Sequence, residues 1–182
     1  MLGVVELRAG GRTVPTGGQV QTTILTHLAL QAPRRVAVDA VIDAVWGDEP
    51  PATVRHSLST QLSRLRRIVE AVGWGIRWTA QGYLLEAPEV ATDSAAFELL
   101  VRDAENLADT GRARSAIETY RAALALWRGD PLLGLSNAPF VDATRSAMSE
   151  RRRQAEDALA GLLLHSDRPA QAVALLDELA RT

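Results

Sequence analysis

Residues 52–72 read ATVRHSLSTQLSRLRRIVEAV, and residues 73–85 that follow read GWGIRWTAQGYLL. In the first stretch Val54, Leu58, Leu62, Leu65 and Val69 recur at three- and four-residue intervals, the period of an α-helix with one apolar face. The opposite side carries His56, Ser57, Thr60, Ser63, Arg64 and Arg67, and Arg55, Ser59 and Arg66 lie on its flank. Gly73 and Gly75 break the helix. Ile76–Thr79, then Ala80-Gln81-Gly82, then Tyr83–Leu85 predict strand, turn and strand.

Outward from this pair, the pattern extends toward the N-terminus. Pro50-Pro51 enforces a turn and leaves Pro51 placed to start the long helix. Before it, Val41, Ile42, Val45 and Trp46 predict a shorter helix, with Asp39 as its N-cap and Gly47 closing it. Val20, Ile24, Leu25 and Leu28 share one helical face, which Pro33 ends, and Val36 and Val38 flank a brief extended piece. At the start, Val4–Leu7, a turn at Ala9-Gly10-Gly11 and Arg12–Val14 predict a small hairpin. Strands, three helices and a final hairpin are the element order of a winged helix-turn-helix.

Residues 87–92, Ala-Pro-Glu-Val-Ala-Thr, form a linker, and everything beyond is helical in pattern: about 93–109, 112–127, 138–165 and 168–180. The spacing of Ala104, Leu107, Ala116, Tyr120 and Ala123 is that of a tetratricopeptide helix pair. Ala160, Leu163, Ala172, Leu176 and Leu179 repeat it, with an insertion around Trp127–Ala147. The fold class expected is therefore mainly α with small β-sheets, a winged helix-turn-helix followed by a tetratricopeptide-like α-helical domain. The domains are 1–87 for the winged helix, 88–92 for the linker and 93–182 for the helical domain.

Composition narrows the function classes. Net charge is −2, which argues against a protein that coats nucleic acid nonspecifically, and all 20 basic residues are arginine. An arginine cluster is less telling where lysine is absent. Residues 1–90 carry +1 and residues 91–182 carry −3, so only local clustering is informative. There is no cysteine, hence no disulfide, thiol nucleophile or thiolate metal site. The first residues lack the basic start and apolar run of a secretory signal. The longest apolar stretches, Ala122–Trp127 and Leu159–Leu164, are far shorter than a membrane span. A cytoplasmic location, with no membrane partner, is the default expectation.

An α-helix fits the major groove, where short polar and arginine side chains read base edges. His56, Ser57, Thr60, Ser63 and Arg64 supply such a face, and Arg64 has the two-pronged donor geometry that matches guanine O6 and N7. Arg55, Ser59, Arg66 and Arg67 on the same helix, and Arg77 in the hairpin, are the candidate phosphate contacts. The alternative for this face is plain solvation.

Gln61–Glu70, followed by a hairpin containing Gly82-Tyr83, resembles the OmpR-type winged helix. Residues 46–53, Trp-Gly-Asp-Glu-Pro-Pro-Ala-Thr, narrow the resemblance to the SARP family, the Streptomyces antibiotic regulatory proteins. Residues 122–132, AALALWRGDPL, resemble the start of a bacterial transcriptional activator domain. The resemblance implies a transcription activator, often of a secondary-metabolite gene cluster. It implies binding to direct repeats in double-stranded promoter DNA, as a tandem pair or homodimer, and recruitment of RNA polymerase through its sigma and alpha subunits. It also implies base-facing roles for Arg64 and Thr60, a phosphate or base contact for Arg66, and an activator domain continuing beyond Thr182, so that 93–182 is an incomplete one. Two departures stand out. The wing commonly reads Thr-Arg-Pro-Pro-Gly-Tyr but here reads Trp-Thr-Ala-Gln-Gly-Tyr over 78–83, and Gln19–Thr22 lacks the basic residues that commonly open the first helix.

Other features carry less. His27, His56 and His165 lie on separate helices without ligand spacing, so neither a metal nor a cofactor is expected. The Gly-Gly pairs are not followed by Lys-Ser/Thr, so no phosphate loop forms. Glu105 and Asp109 are solvated acids in this reading. No nucleophile–base constellation points to an enzyme. Arg151-Arg152-Arg153 reads as a solvated turn paired with Glu150, Glu156 and Asp157, the alternative being a second DNA contact or an acidic partner. Tyr120, Trp127 and Phe140 read as core rather than as a ligand pocket. The competing function is a ligand- or peptide-binding helical-repeat sensor or scaffold whose winged helix serves protein contacts.

Overall fold

The computed structural model describes residues 1–88, 91–135 and 138–165. The chain divides into two compact units, Met1–Thr92 with Gly129–Arg145, and Asp93–Arg128 with Ser146–Thr182.

In the first unit, β1 (Leu7–Ala9) and β2 (Arg12–Val14) pair antiparallel, with Leu7 opposite Val14. Gly10 and Gly11 both take positive φ, the backbone that a two-residue hairpin turn requires. Val4 lies outside this hairpin and instead bridges Leu133 in parallel, so the first strand begins later than the sequence pattern places it. Next come α1 (Gln19–Gln31), α2 (Val38–Trp46) and α3 (Val54–Glu70). The Gln21 side chain reaches back to accept from the Gly18 N–H at 2.7 Å, occupying a donor at the helix start that has no intrahelical partner. The cap of α2 is Ala37, not Asp39; Asp39 stands in the first turn and pairs with Arg55 at 2.7 Å. An acidic residue in a first turn is favoured by the helix dipole as well as by this pairing. α3 begins at Val54 rather than at Pro51, whose carbonyl accepts the Val54 N–H at 2.8 Å.

β3 (Gly75–Thr79) and β4 (Gly82–Glu86) form the second antiparallel hairpin, with Trp78 opposite Tyr83. Val36, in the link between α1 and α2, exchanges two 2.8 Å backbone hydrogen bonds with Tyr83. That link approaches β4 so closely that a Cβ on Gly82 would overlap the Val36 carbonyl, and Gly82 has φ +124°. Only glycine meets both conditions. Ile24, Leu28, Val41, Leu58, Leu62, Leu65, Val69, Ile76, Tyr83 and Leu85 are buried together as the core between three helices and hairpin.

Gly129–Arg145 completes this unit. Leu132 and Leu133 donate backbone N–H groups to the Met1 and Gly3 carbonyls at 2.9 and 3.0 Å, and Val5 donates to Leu133 at 3.1 Å. Leu132 holds φ +57° while fully buried. That backbone costs roughly 1–2 kcal/mol, and burying a leucine returns roughly 1.5–3 kcal/mol, so burial wins. Arg145 fastens the loop, donating to the Pro131 and Leu135 carbonyls at 3.1 and 3.4 Å.

The second unit contains α4 (Asp93–Asp109), α5 (Ala113–Leu124) and the part of α6 (Pro139–His165) from Ser146 onward. α5 stops at Leu124 rather than Trp127, because the chain tightens: Leu126 and Trp127 donate three residues back, to Ala123 and Leu124. Ala104, Ala116 and Ala123 are fully buried, as expected of small residues where paired helices lie close. Ala160 and Leu163 of the second repeat are buried too. Ala172, Leu176, Leu179 and the helix expected over 168–180 lie outside the described residues.

Candidate nucleic-acid interface

α3 buries Leu58, Leu62, Leu65 and Val69, and this fixes which side faces outward. His56, Ser63, Arg64 and Arg67 are exposed, and Ser57 and Thr60 are half-buried beside them. Arg64 and Arg67 are exposed and have no ion-pair partner among the described residues, so their side chains are open to solvent. Arg67 also stands in the last turn of α3, where a cation is favoured by the dipole.

The flanking residues are held differently. Arg55 joins Asp39, both side chains being largely exposed. Such a pair contributes little net stability, so its guanidinium exchanges partners at low cost. Arg66 is half-buried and donates from Nε to the Ile76 carbonyl at 2.9 Å, tying helix to hairpin. Ser59 is exposed on the same flank. Arg77 pairs with Glu86 at 2.8 Å. Alternation along β3 places Arg77 on the face opposite Ile76, away from the core that α3 covers. The structure thus brings His56, Ser57, Thr60, Ser63, Arg64 and Arg67 onto one helical surface and sets Arg77 apart from it.

Sequence reasoning missed one residue of this region. Trp78 is 54% exposed, stacked edge-on against Tyr83 at 4.9 Å between ring centroids. Burial pushes the Tyr83 phenol pKa up, and the Arg66 guanidinium opposes that shift. The alternation Ile76, Trp78 carried the signal, since one face holds both residues, with Ile76 buried and Trp78 exposed nearer the turn.

The rest of the molecule offers less chemistry. In the second unit Arg151 meets Glu98 and Glu105 at 3.2 and 3.1 Å, Arg152 meets Glu156, and Arg153 meets Glu150 and Asp157. The triple-arginine run is therefore an ion-paired helix surface in this structure. Trp127 packs edge-on against Phe97 with the Arg152 guanidinium over its ring at 5.2 Å, a cation–π arrangement. Tyr120 is buried in the same unit, whereas Phe140 belongs to the first unit and packs on His27. Among the described residues no group of three His, Cys, Asp or Glu side chains is placed to hold a metal ion. No helix among them is long and apolar enough to cross a membrane.

A winged helix-turn-helix with a polar, arginine-bearing third helix, followed by a helical repeat, defines the class of winged-helix transcription regulators. Residues 92–182 match the bacterial transcriptional activator domain family. The chain belongs to that family and, with the relatives it matches, to the SARP-type regulators. It is 30% identical to the transcriptional regulatory protein EmbR of Mycobacterium tuberculosis, over 98% of this chain and 47% of EmbR. It is 34% identical to the regulatory protein DnrI of Streptomyces peucetius, over 84% of this chain and 59% of DnrI. The solved structure of Mycobacterium tuberculosis EmbR in complex with a low affinity phosphopeptide superposes with a TM-score of 0.92 at 30% identity, covering 98% of this chain and 48% of that one. The chain therefore spans about half the length of EmbR.

Proposed function

We propose that this chain is the DNA-binding and activator portion of a cytoplasmic transcription activator, one that serves a secondary-metabolite gene cluster. Residues 1–87 bind double-stranded promoter DNA, residues 88–92 connect, and residues 93–182 engage RNA polymerase through its sigma and alpha subunits. In this reading α3 enters the major groove. His56, Ser57, Thr60, Ser63 and Arg64 face base edges, and Arg55, Ser59, Arg66, Arg67 and Arg77 hold phosphates. The observation that carries it is the outer face of α3, where Arg64 and Arg67 extend beside hydroxyl side chains with no ion-pair partner among the described residues. The regulatory names of the relatives support the same reading.

Two copies on a direct repeat bind better than one. The phosphate contacts available to a single copy are few, and the salt dependence of binding scales with the number of phosphates neutralised, roughly 0.9 per phosphate on duplex DNA. A footprint on the promoters flanking the chain's own gene tests the proposal. Two adjacent protected segments are expected, and insertion of half a helical turn between them should abolish the mutual reinforcement. A protein-docking scaffold would give no protection at all. That competing reading draws on the EmbR structure, which was solved with a phosphopeptide, and it predicts peptide binding without DNA binding.

A further inference from the structure

The wing of the first unit is electrically bare at its tip, where Ala80 and Gln81 make the turn between β3 and β4. Its one arginine, Arg77, lies on the face turned away from α3 and is paired with Glu86. On the other face stands Trp78. Residues directly opposite in an antiparallel pair share a face, so Trp78 and Tyr83 lie on the side that Ile76 and Leu85 bury. The two inner residues, Ile76 and Leu85, are covered by the helices, whereas Trp78, nearer the turn, is 54% exposed.

Leaving an indole half in water is unfavourable, because a tryptophan carries a large apolar surface. Its ring is nevertheless packed against a neighbour. The Tyr83 ring meets it edge-on at 4.9 Å and 61°, and Tyr83 is itself buried and held by two backbone hydrogen bonds exchanged with Val36. Arg66, on the flank of α3, is hydrogen-bonded to the Ile76 carbonyl two residues before Trp78 and lies near enough to Tyr83 to influence its phenol. An exposed indole packed on Tyr83 thus stands at the junction of α3 and wing, where Arg66 joins Ile76.

We infer that Trp78 is a further DNA-contacting residue, an aromatic platform that rests on the sugar–phosphate backbone bordering the groove entered by α3. The inference rests on the DNA-binding reading above and deepens it. Duplex DNA fits as the occupant because the indole offers two things a backbone accepts: an apolar face for deoxyribose and one N–H donor for a phosphate oxygen. The wing strand that carries Trp78 is joined to α3 by the Arg66–Ile76 hydrogen bond, and the arginines of α3 complement phosphate in charge. Trp78 carries no charge, so its contact adds affinity without adding to the salt dependence.

That last property makes the test sharp. The unaltered chain, Trp78→Ala and Trp78→Arg are titrated with a short random-sequence duplex at several salt concentrations, after thermal melts have shown that each variant folds. Trp78→Ala should bind about threefold to tenfold more weakly, the scale on which loss of one neutral hydrogen bond is felt, with an unchanged salt slope. Trp78→Arg should recover affinity and steepen the slope by about 0.9, one further phosphate. Should Trp78→Ala melt early, Trp78→Phe and Trp78→Arg carry the test. In the unaltered chain duplex addition should alter tryptophan emission, and in Trp78→Phe that change should vanish. Arginine at 78 leaving the slope where it was, or emission that responds equally in Trp78→Phe, overturns the inference while leaving DNA binding by α3 intact. Absence of any duplex binding by the unaltered chain overturns the DNA-binding reading and this inference with it.

Discussion

Arg66 donates from its Nε to the carbonyl oxygen of Ile76 at 2.9 Å, so the arginine-rich end of α3 and the first strand of the wing are fastened by a side chain that also stands at the candidate DNA surface. Arg67, one residue on, is exposed and makes no such bond among the described residues. The two should separate on mutation. Arg66→Ala should lower stability by about 1.5 kcal/mol, the low end of the scale for a hydrogen bond to a charged group, and weaken DNA binding as well. Arg67→Ala should stay within about 0.5 kcal/mol of the original stability and weaken specific and nonspecific DNA alike. Thermal melts and duplex titrations on the same samples check both.

Arg64 lies on the exposed face of α3 without an ion pair among the described residues. Its alanine variant should lose roughly 1–3 kcal/mol of binding and relax specificity at one base position. Titration on a matched operator and a set of single mismatches measures this. Equal loss on every sequence would assign Arg64 to phosphate instead.

Gly82 combines φ +124° with direct approach to the Val36 carbonyl. Gly82→Ala should destabilise the first unit by more than about 1 kcal/mol, the minimum for a Cβ forced into positive φ, with the overlap adding to it. The second unit has no part in this contact. Amide exchange should therefore accelerate in β3, β4 and residues near Val36 and stay unchanged in α4 and α5.

The loop fastened by Arg145 belongs to the first unit although it follows α5 in the chain. Removing Arg145 leaves the Pro131 and Leu135 carbonyls without those donors, and Arg145→Ala should lower the melting temperature of the first unit. A fragment of residues 1–92 lacks this loop entirely and should melt lower still, with the strand at Met1–Val5 exchanging amides fastest. Equal stability of fragment and full chain would show that the loop contributes nothing.

His27 sits half-buried against the Phe140 ring, 5.0 Å between centroids, and desolvation holds its pKa below the usual 6.5. The folded state therefore binds its proton less readily than the unfolded state. The stability linked to this group is fully present above pH 6.5 and is lost as pH falls from there toward the lowered folded value. Melting temperature should drop across that window in the natural chain, and His27→Gln should flatten this part of the profile.

Much of this architecture was legible because it rests on local patterns. The bounds of α4, 93–109, follow from helical periodicity between a turn and Gly111, and the β3–β4 hairpin follows from alternation around Gly82. Where neighbours distant in sequence compete, the local reading failed. Asp39 resembles an N-cap, yet its carboxylate meets Arg55 sixteen residues away, and Ala37 takes the cap position. Val4 belongs in pattern to the first hairpin, yet its bridge partner is Leu133.

Periodicity of apolar residues by itself determined a winged helix followed by paired helices, since a face that must be buried is written in the spacing of its side chains. It also determined the outward set on α3, because burying Leu58, Leu62, Leu65 and Val69 leaves the polar residues only one direction to point. The tertiary structure alone decided which arginines are already engaged: Arg55 with Asp39, Arg66 with Ile76 and Arg77 with Glu86. It alone exposed Trp78, by ending the core one residue pair short of the wing tip. And it alone returned Gly129–Arg145 to the first unit, because hydrogen bonding between Leu132–Leu133 and Met1–Val5 joins segments more than a hundred residues apart in the chain, a pairing on which no local period bears.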